Sequence, residues 1–194
     1  MQKKNLRVII NAPATIGFCL LCLIAMVLNI ITGGKTNQLL FSVYHSSLAD
    51  PLTYLRFFTH ALGHSSWSHF FGNILTFMIL GPMMEEKYGA PSMVVVYAVT
   101  ALVTGLLSYI FFPHTAMLGA SGVVFALIML SSFVKTEKNT IPLTLILVAC
   151  LYAGQQLYEA FSSAGNVAYI GHFGGAVVGI VFGFLMNVDT KTHG

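Results

Sequence analysis

The amino-acid sequence predicts an all-α membrane protein that crosses the bilayer six times. Three observations carry that expectation. Of 194 residues, 56% are hydrophobic and 8% charged, against about 25% charged in a typical soluble domain, and a soluble core has no room to hide so much apolar surface. The apolar residues come in runs near the ~20 that span a bilayer, not in the three-to-four spacing of a half-buried surface helix. The charged residues fall near the ends of those runs.

Lys3, Lys4 and Arg7 precede the first apolar stretch, as in a signal peptide, but the stretch is long and lacks a clear small-residue cleavage site, so it reads as a retained first helix over 14–31. Residues 32–67 form the only long connection. Phe41, Tyr44, Tyr54, Phe57, Phe58 and Trp67 make it too apolar for a solvated linker and suit it to the membrane interface, where Trp and Tyr are favoured. The further spans are expected at 68–84, 92–112, 116–134, 142–161 and 167–188, in one domain over 1–194. Lys3, Lys4, Arg7, Lys87, Lys135, Lys138 and Lys191 then fall on one side, Lys35 and Arg56 on the other, and the positive-inside rule places both termini in the cytoplasm. No internal repeat is visible, which argues against a transporter of the repeated-half type. Cys19, Cys22 and Cys150 lie within apolar runs, where a thiol acts as a small hydrophobe, and imply neither a disulfide nor a metal. The formal charge of +3 is scattered, with no Lys/Arg block to suggest a nucleic-acid partner.

A polar group in hydrocarbon costs several kcal/mol unless it finds a partner, so polar residues inside spans mark candidates for function. His69 and Asn73 stand in the second span, Ser121 in the fourth and His172 in the sixth. With both termini cytoplasmic, these three spans all enter from the outer face, and each of the four residues falls within about two turns of that end, at similar depth. Ser121 lies in the run Leu118-Gly119-Ala120-Ser121-Gly122, where glycines permit an irregular backbone and free amides at a helix start. Taken alone, its hydroxyl is better explained as structural, bonded to a carbonyl one turn back; the glycine surroundings shift that balance. His172 has glycine neighbours: Gly171, Gly175, Gly179 and Gly183 recur every four positions and fit close helix packing. If the fourth span is the partner, that packing brings His172 toward Ser121.

A serine hydroxyl becomes a good nucleophile when a base takes its proton, and a neutral imidazole suits that task near neutral pH. His69 and Asn73, four apart, share a helix face from which both could donate to an oxyanion; bonding each other or water is the competing reading. His60 and His64 have zinc-ligand spacing, but no Glu follows His60 to complete HExxH. An aspartyl mechanism needs two acids at depth, and the aspartates, Asp50 and Asp189, both lie outside the spans.

Arg56-Phe57-Phe58-Thr59-His60-Ala61 with His64, His69 to Asn73 (HFFGN), Glu85 to Gly89 (EEKYG), Gly119-Ala120-Ser121-Gly122, and His172 with Gly175 and Gly179 form a combination that resembles the rhomboid family of intramembrane serine proteases, its short bacterial members above all. The resemblance covers nearly the whole chain. It implies a six-helix rhomboid-like bundle, with Ser121 as nucleophile, His172 as general base and no acidic third member. It implies an oxyanion hole of His69, Asn73 and the Ser121 amide, and a water-filled cavity open to the outer face. The fifth span and adjoining loops would form a lateral gate. Arg56, Glu85, Gly119, Phe125, Gly175, Gly179 and the loop histidines take supporting roles. No cofactor or metal is implied; the partners would be single-span or polytopic membrane-protein substrates and the lipid bilayer, with the protein in a bacterial inner membrane.

Three departures stand out. The family's Trp-Arg pair is Leu55-Arg56, Ala120 fills the variable place of the serine motif, and Phe125 replaces a frequent Tyr one turn after Ser121, where its ring can pack on His172. Some relatives also carry a soluble cytoplasmic domain before the first span, whereas this chain begins almost at the helix. The rival classes are a non-catalytic relative that escorts membrane clients, which typically lacks the serine or histidine, and a proton-coupled channel using the histidines as a relay.

Overall fold

A computed structural model of the chain describes residues 8–134, 140–162 and 168–187. Lys3, Lys4, Arg7, Lys135, Lys138, Asp189 and Lys191, together with positions 167 and 188 at the limits of the last expected span, lie outside the described residues. The elements in order are α1 (Pro13–Ile31), α2 (Lys35–Leu39), α3 (Pro51–Thr59), a 3-10 turn (His60–Leu62), α4 (Trp67–Tyr88), α5 (Ala90–Phe111), α6 (Ser121–Ser131), α7 (Leu143–Ser162) and α8 (Ala168–Met186). The described residues are thus helical apart from their connections and one isolated bridge between Val43 and Met117.

Local chemistry sets the boundaries. Asp50 caps α3 by accepting from the Leu52 N–H at 3.0 Å, with Pro51 in the first turn. Ser66 caps α4 by accepting from the His69 N–H at 3.1 Å, and Gly89, with φ of +82°, ends it. The start of α1 is capped from elsewhere. Both oxygens of Glu85, near the end of α4, accept from the Ala14 and Thr15 amides at 2.8 Å, and the Thr15 hydroxyl adds a bond of 2.7 Å. A carboxylate at a helix start meets free donors and the positive end of the dipole.

Helices α1, α5 and α8 (from Tyr169) are long and apolar enough to cross a membrane. Apolar side chains face outward as well as inward, among them Leu20, Ile24 and Ile31 on α1, as suits a chain whose surroundings are hydrocarbon. The fourth span needs correction: the expected 116–134 stretch is helical only from Ser121 to Ser131, 11 residues. Residues 116–120 form a loop because Met117 pairs through its backbone with Val43 and Gly119 turns with φ of +129°. The long connection, expected as an interfacial segment, contains α2, α3 and the 3-10 turn.

The tightest packing is α8 against α6. A Cβ on Gly175 would fall 1.9 Å from the Gly122 carbonyl oxygen, and one on Gly179 would fall 2.2 Å from that of Ala126. The glycine stripe therefore works as helix packing, with α6 as its partner. Thr15 of α1 sits against Gly81 of α4, and Phe18 stacks on Phe77 with centroids 4.7 Å apart. Phe77, Met84, Met93, Val96, Leu127 and Leu130 fill the core between α4, α5 and α6.

Candidate active site

A cavity of about 480 Å³ lies where α4, α5, α6 and α8 meet, lined by His69, Asn73, Thr104, Ser121, Gly122 and His172 together with the loop from Ala116 to Gly119. All four polar residues singled out in the sequence therefore border one space. Ser121 is the first residue of α6, where the leading backbone amides have no intrahelical acceptor and no side chain caps them. Two residues earlier, Gly119 adopts a conformation that L side chains rarely take. A Cβ there would lie 2.7 Å from Cε1 of His69, so the same glycine allows both the turn into α6 and the approach of the imidazole.

The loop before Ser121 is tied down on both flanks. Met117 exchanges two backbone bonds of 2.9 Å with Val43, and the Gly119 N–H donates to the His60 carbonyl at 2.9 Å. Opposite Ser121, half-buried His172 projects from α8. The Phe125 ring, one turn along α6, packs on it with centroids 4.4 Å apart and planes at 38°. Asn73 is buried, and its carboxamide donates to the backbone carbonyl of His69 at 3.1 Å, leaving a second N–H on the same group. Nδ1 of His69 stands 3.3 Å from the Ser65 hydroxyl.

His60, which also borders the cavity, and His64 belong to the connection before α4. Nε2–H of His60 donates to the Ala101 carbonyl at 3.0 Å, and Nδ1–H of His64 donates to that of Leu62 at 3.1 Å. Burial pushes both imidazoles down to about 4; the neighbouring His69 adds to the effect at His64. Among the described residues no three His, Cys, Asp or Glu side chains group as a metal would require. Arg56 is buried in the connection, donating to the Leu39 carbonyl at 2.8 Å and to Asp50 at 3.4 Å with its guanidinium over the Tyr44 ring. Arg56 and Glu85 both lie away from the cavity lining.

Sequence reasoning missed Ser65, Thr104 and Met117. Ser65 precedes His69 by four positions, and Thr104 belongs to a row with Thr100 and Ser108 in an apolar helix; both were available signals. Met117 carried none, because its role is a backbone pairing.

The helices and this cavity define a multi-pass helical membrane protein with a serine and a histidine gathered at one site. Residues 51–188 match the family model for the rhomboid domain, a stretch that holds every site residue named above from Arg56 to Gly179. The chain belongs to the rhomboid family. It is 31% identical over 145 residues to rhomboid protease GlpG of Haemophilus influenzae, covering 70% of each chain. It is 28% identical over 159 residues to rhomboid-like protein 11, chloroplastic, of Arabidopsis thaliana, covering 75% of this chain and 55% of that one. With rhomboid-related protein 2 of Mus musculus it shares 29% over 157 residues, 71% of this chain and 52% of the other. The chain spans about half the length of these last two relatives.

Proposed function

We propose that the protein is an intramembrane serine endopeptidase that cuts membrane-spanning helices of other proteins. The observation that carries this reading is the single cavity bordered by Ser121, His172, His69 and Asn73, in a chain that belongs to the rhomboid family. The Ser121 hydroxyl attacks the scissile carbonyl while His172 takes its proton, and the negative oxygen that develops is met by the Ser121 amide, His69 and Asn73. His172 then returns the proton to the leaving amine, and water, activated by the same imidazole, hydrolyses the acyl-enzyme. Phe125 holds the imidazole by packing, in the place where a triad would use a carboxylate.

The chain carries these groups in a bundle of six spans within one domain, with both termini in the cytoplasm, in a bacterial inner membrane. The site opens toward the outer face, and α7 with its adjoining loops serves as the lateral gate. The substrates are single-span or polytopic membrane proteins.

The test is cleavage of single-span substrates by purified protein in detergent, beside Ser121→Ala and His172→Ala. Both variants should fold and lose activity, and Ser121 should be labelled by a serine-directed fluorophosphonate. Substantial turnover by folded Ser121→Ala would falsify the assignment. EDTA should leave activity intact; strong inhibition reversed by zinc would return attention to His60 and His64.

A further inference from the structure

His69 has two ring nitrogens, and only one of them faces the loop that carries Ser121. A Cβ on Gly119 would lie 2.8 Å from Nε2 and 4.0 Å from Nδ1, so the Nε2 edge is turned to that loop. Nδ1 points the other way, to the Ser65 hydroxyl at 3.3 Å. A neutral imidazole carries its proton on one nitrogen only, so what Nε2 offers the cavity is decided at Nδ1.

We infer that Ser65 is a positioning residue for the oxyanion donor: its hydroxyl donates to Nδ1 of His69 and keeps the ring proton on Nε2, facing the Ser121 loop. The inference rests on the oxyanion reading of His69 given above. In the opposite arrangement Nδ1–H donates to Ser65 and an Nε2 lone pair faces the place where negative charge develops, which repels it. Neighbouring groups do not substitute for Ser65. The Ser66 hydroxyl is engaged with the His69 backbone N–H, starting the helix. The fully buried His64 ring meets His69 edge-on with centroids 5.0 Å apart, and its Nδ1–H is committed to the Leu62 carbonyl. His64 thus walls the ring, Ser66 sets its backbone, and Ser65 sets its proton. Ser65 stands outside the motifs on which the family resemblance rests.

The experiment compares the parent protein with Ser65→Ala, Ser65→Thr and His69→Ala, using cleavage of a single-span substrate and nitrogen NMR of the histidine-labelled protein, with His69→Ala assigning the resonances. Ser65 is exposed and precedes the helix, so its replacement leaves the core intact. Ser65→Ala should lower kcat about five-fold at unchanged KM, the scale of one neutral hydrogen bond. It should also raise the share of His69 protonated on Nδ1, and Ser65→Thr should restore both. Unchanged kcat in Ser65→Ala, beside a large loss in His69→Ala, overturns the role of Ser65 alone. A lowered kcat with an unaltered His69 spectrum overturns it too, since it marks a merely structural effect. Full activity of His69→Ala overturns the oxyanion reading itself.

Discussion

Single residues at this site act through donors and through burial. Asn73 presents an amide to the cavity while anchored to the carbonyl one turn back. Asn73→Ala should lower kcat by about 100 to 1,000-fold with little change in KM, the loss typical of one oxyanion donor; a pure KM effect in steady-state kinetics would assign it to substrate binding. His60 and His64 carry a stability consequence. Folded, both stay neutral until the pH reaches about 4, whereas in the unfolded chain they take up protons near 6.5. Between those values the unfolded chain binds more protons, so their contribution is full above about pH 6.5 and is lost as the pH falls toward 4. Thermal unfolding in detergent should show Tm falling across that window, with a shallower slope in His64→Gln.

Among the elements, the contact of α6 with α8 brings Ser121 and His172 to one cavity. Gly175 and Gly179 face backbone oxygens that cannot move aside, and Gly183 faces the ring of Phe133, which is itself fully buried. Gly175→Ala and Gly179→Ala should therefore destabilise the protein by about 2 kcal/mol or more and reduce activity, and Gly183→Ala should also destabilise it. Reversible unfolding in mixed micelles measures all three, and no loss of stability at Gly175 and Gly179 would contradict this packing. The Glu85 cap joins α4 to α1 through three bonds, two of them from orphan amides of a helix start. Glu85→Ala should cost about 2–4 kcal/mol in the same assay, as expected for a buried carboxylate on such donors.

For the whole molecule, the solvent decides which peptide bonds can be cut. A membrane helix bonds its carbonyls internally, because unsatisfied backbone groups are costly in hydrocarbon, so on the protease reading proposed above a substrate must unwind before Ser121 can attack. Ser121, His172 and His69 all lie in the first two turns of their helices; with the site opening to the outer face as proposed above, unwinding should occur near the outer end of the client, where water satisfies freed groups. Glycine, proline or polar residues there should promote cleavage, with a small residue before the scissile bond. Replacing the outer third of a cleaved client by leucines, then restoring glycine and proline singly, tests this. Equal cleavage throughout, or a cut mapped to the cytoplasmic third, would sink the idea.

Much of this was legible along the chain. Hydropathy is a property of each residue and its near neighbours, so the membrane as solvent and most helix positions could be read directly, and the cost of polar groups in hydrocarbon singled out His69, Asn73, Ser121 and His172. The four-residue glycine repeat was legible as a packing face. Its partner was not, since contact with Gly122 and Ala126 joins segments some 50 residues apart. Separation along the chain likewise hid the cap that Glu85 places on Thr15, 70 residues away. It also hid what makes α6 begin at Ser121, a start the flanking glycines only permitted: residues 116–120 are as apolar as a span, yet Val43 holds Met117 in an extended pairing that no local pattern announces. The tautomer-setting place of Ser65 emerged only once Gly119 fixed which edge of His69 faces the cavity. Transfer energies act residue by residue and can be read from a sequence; the choice of partner depends on which backbones come close, and that is settled only when the helices pack.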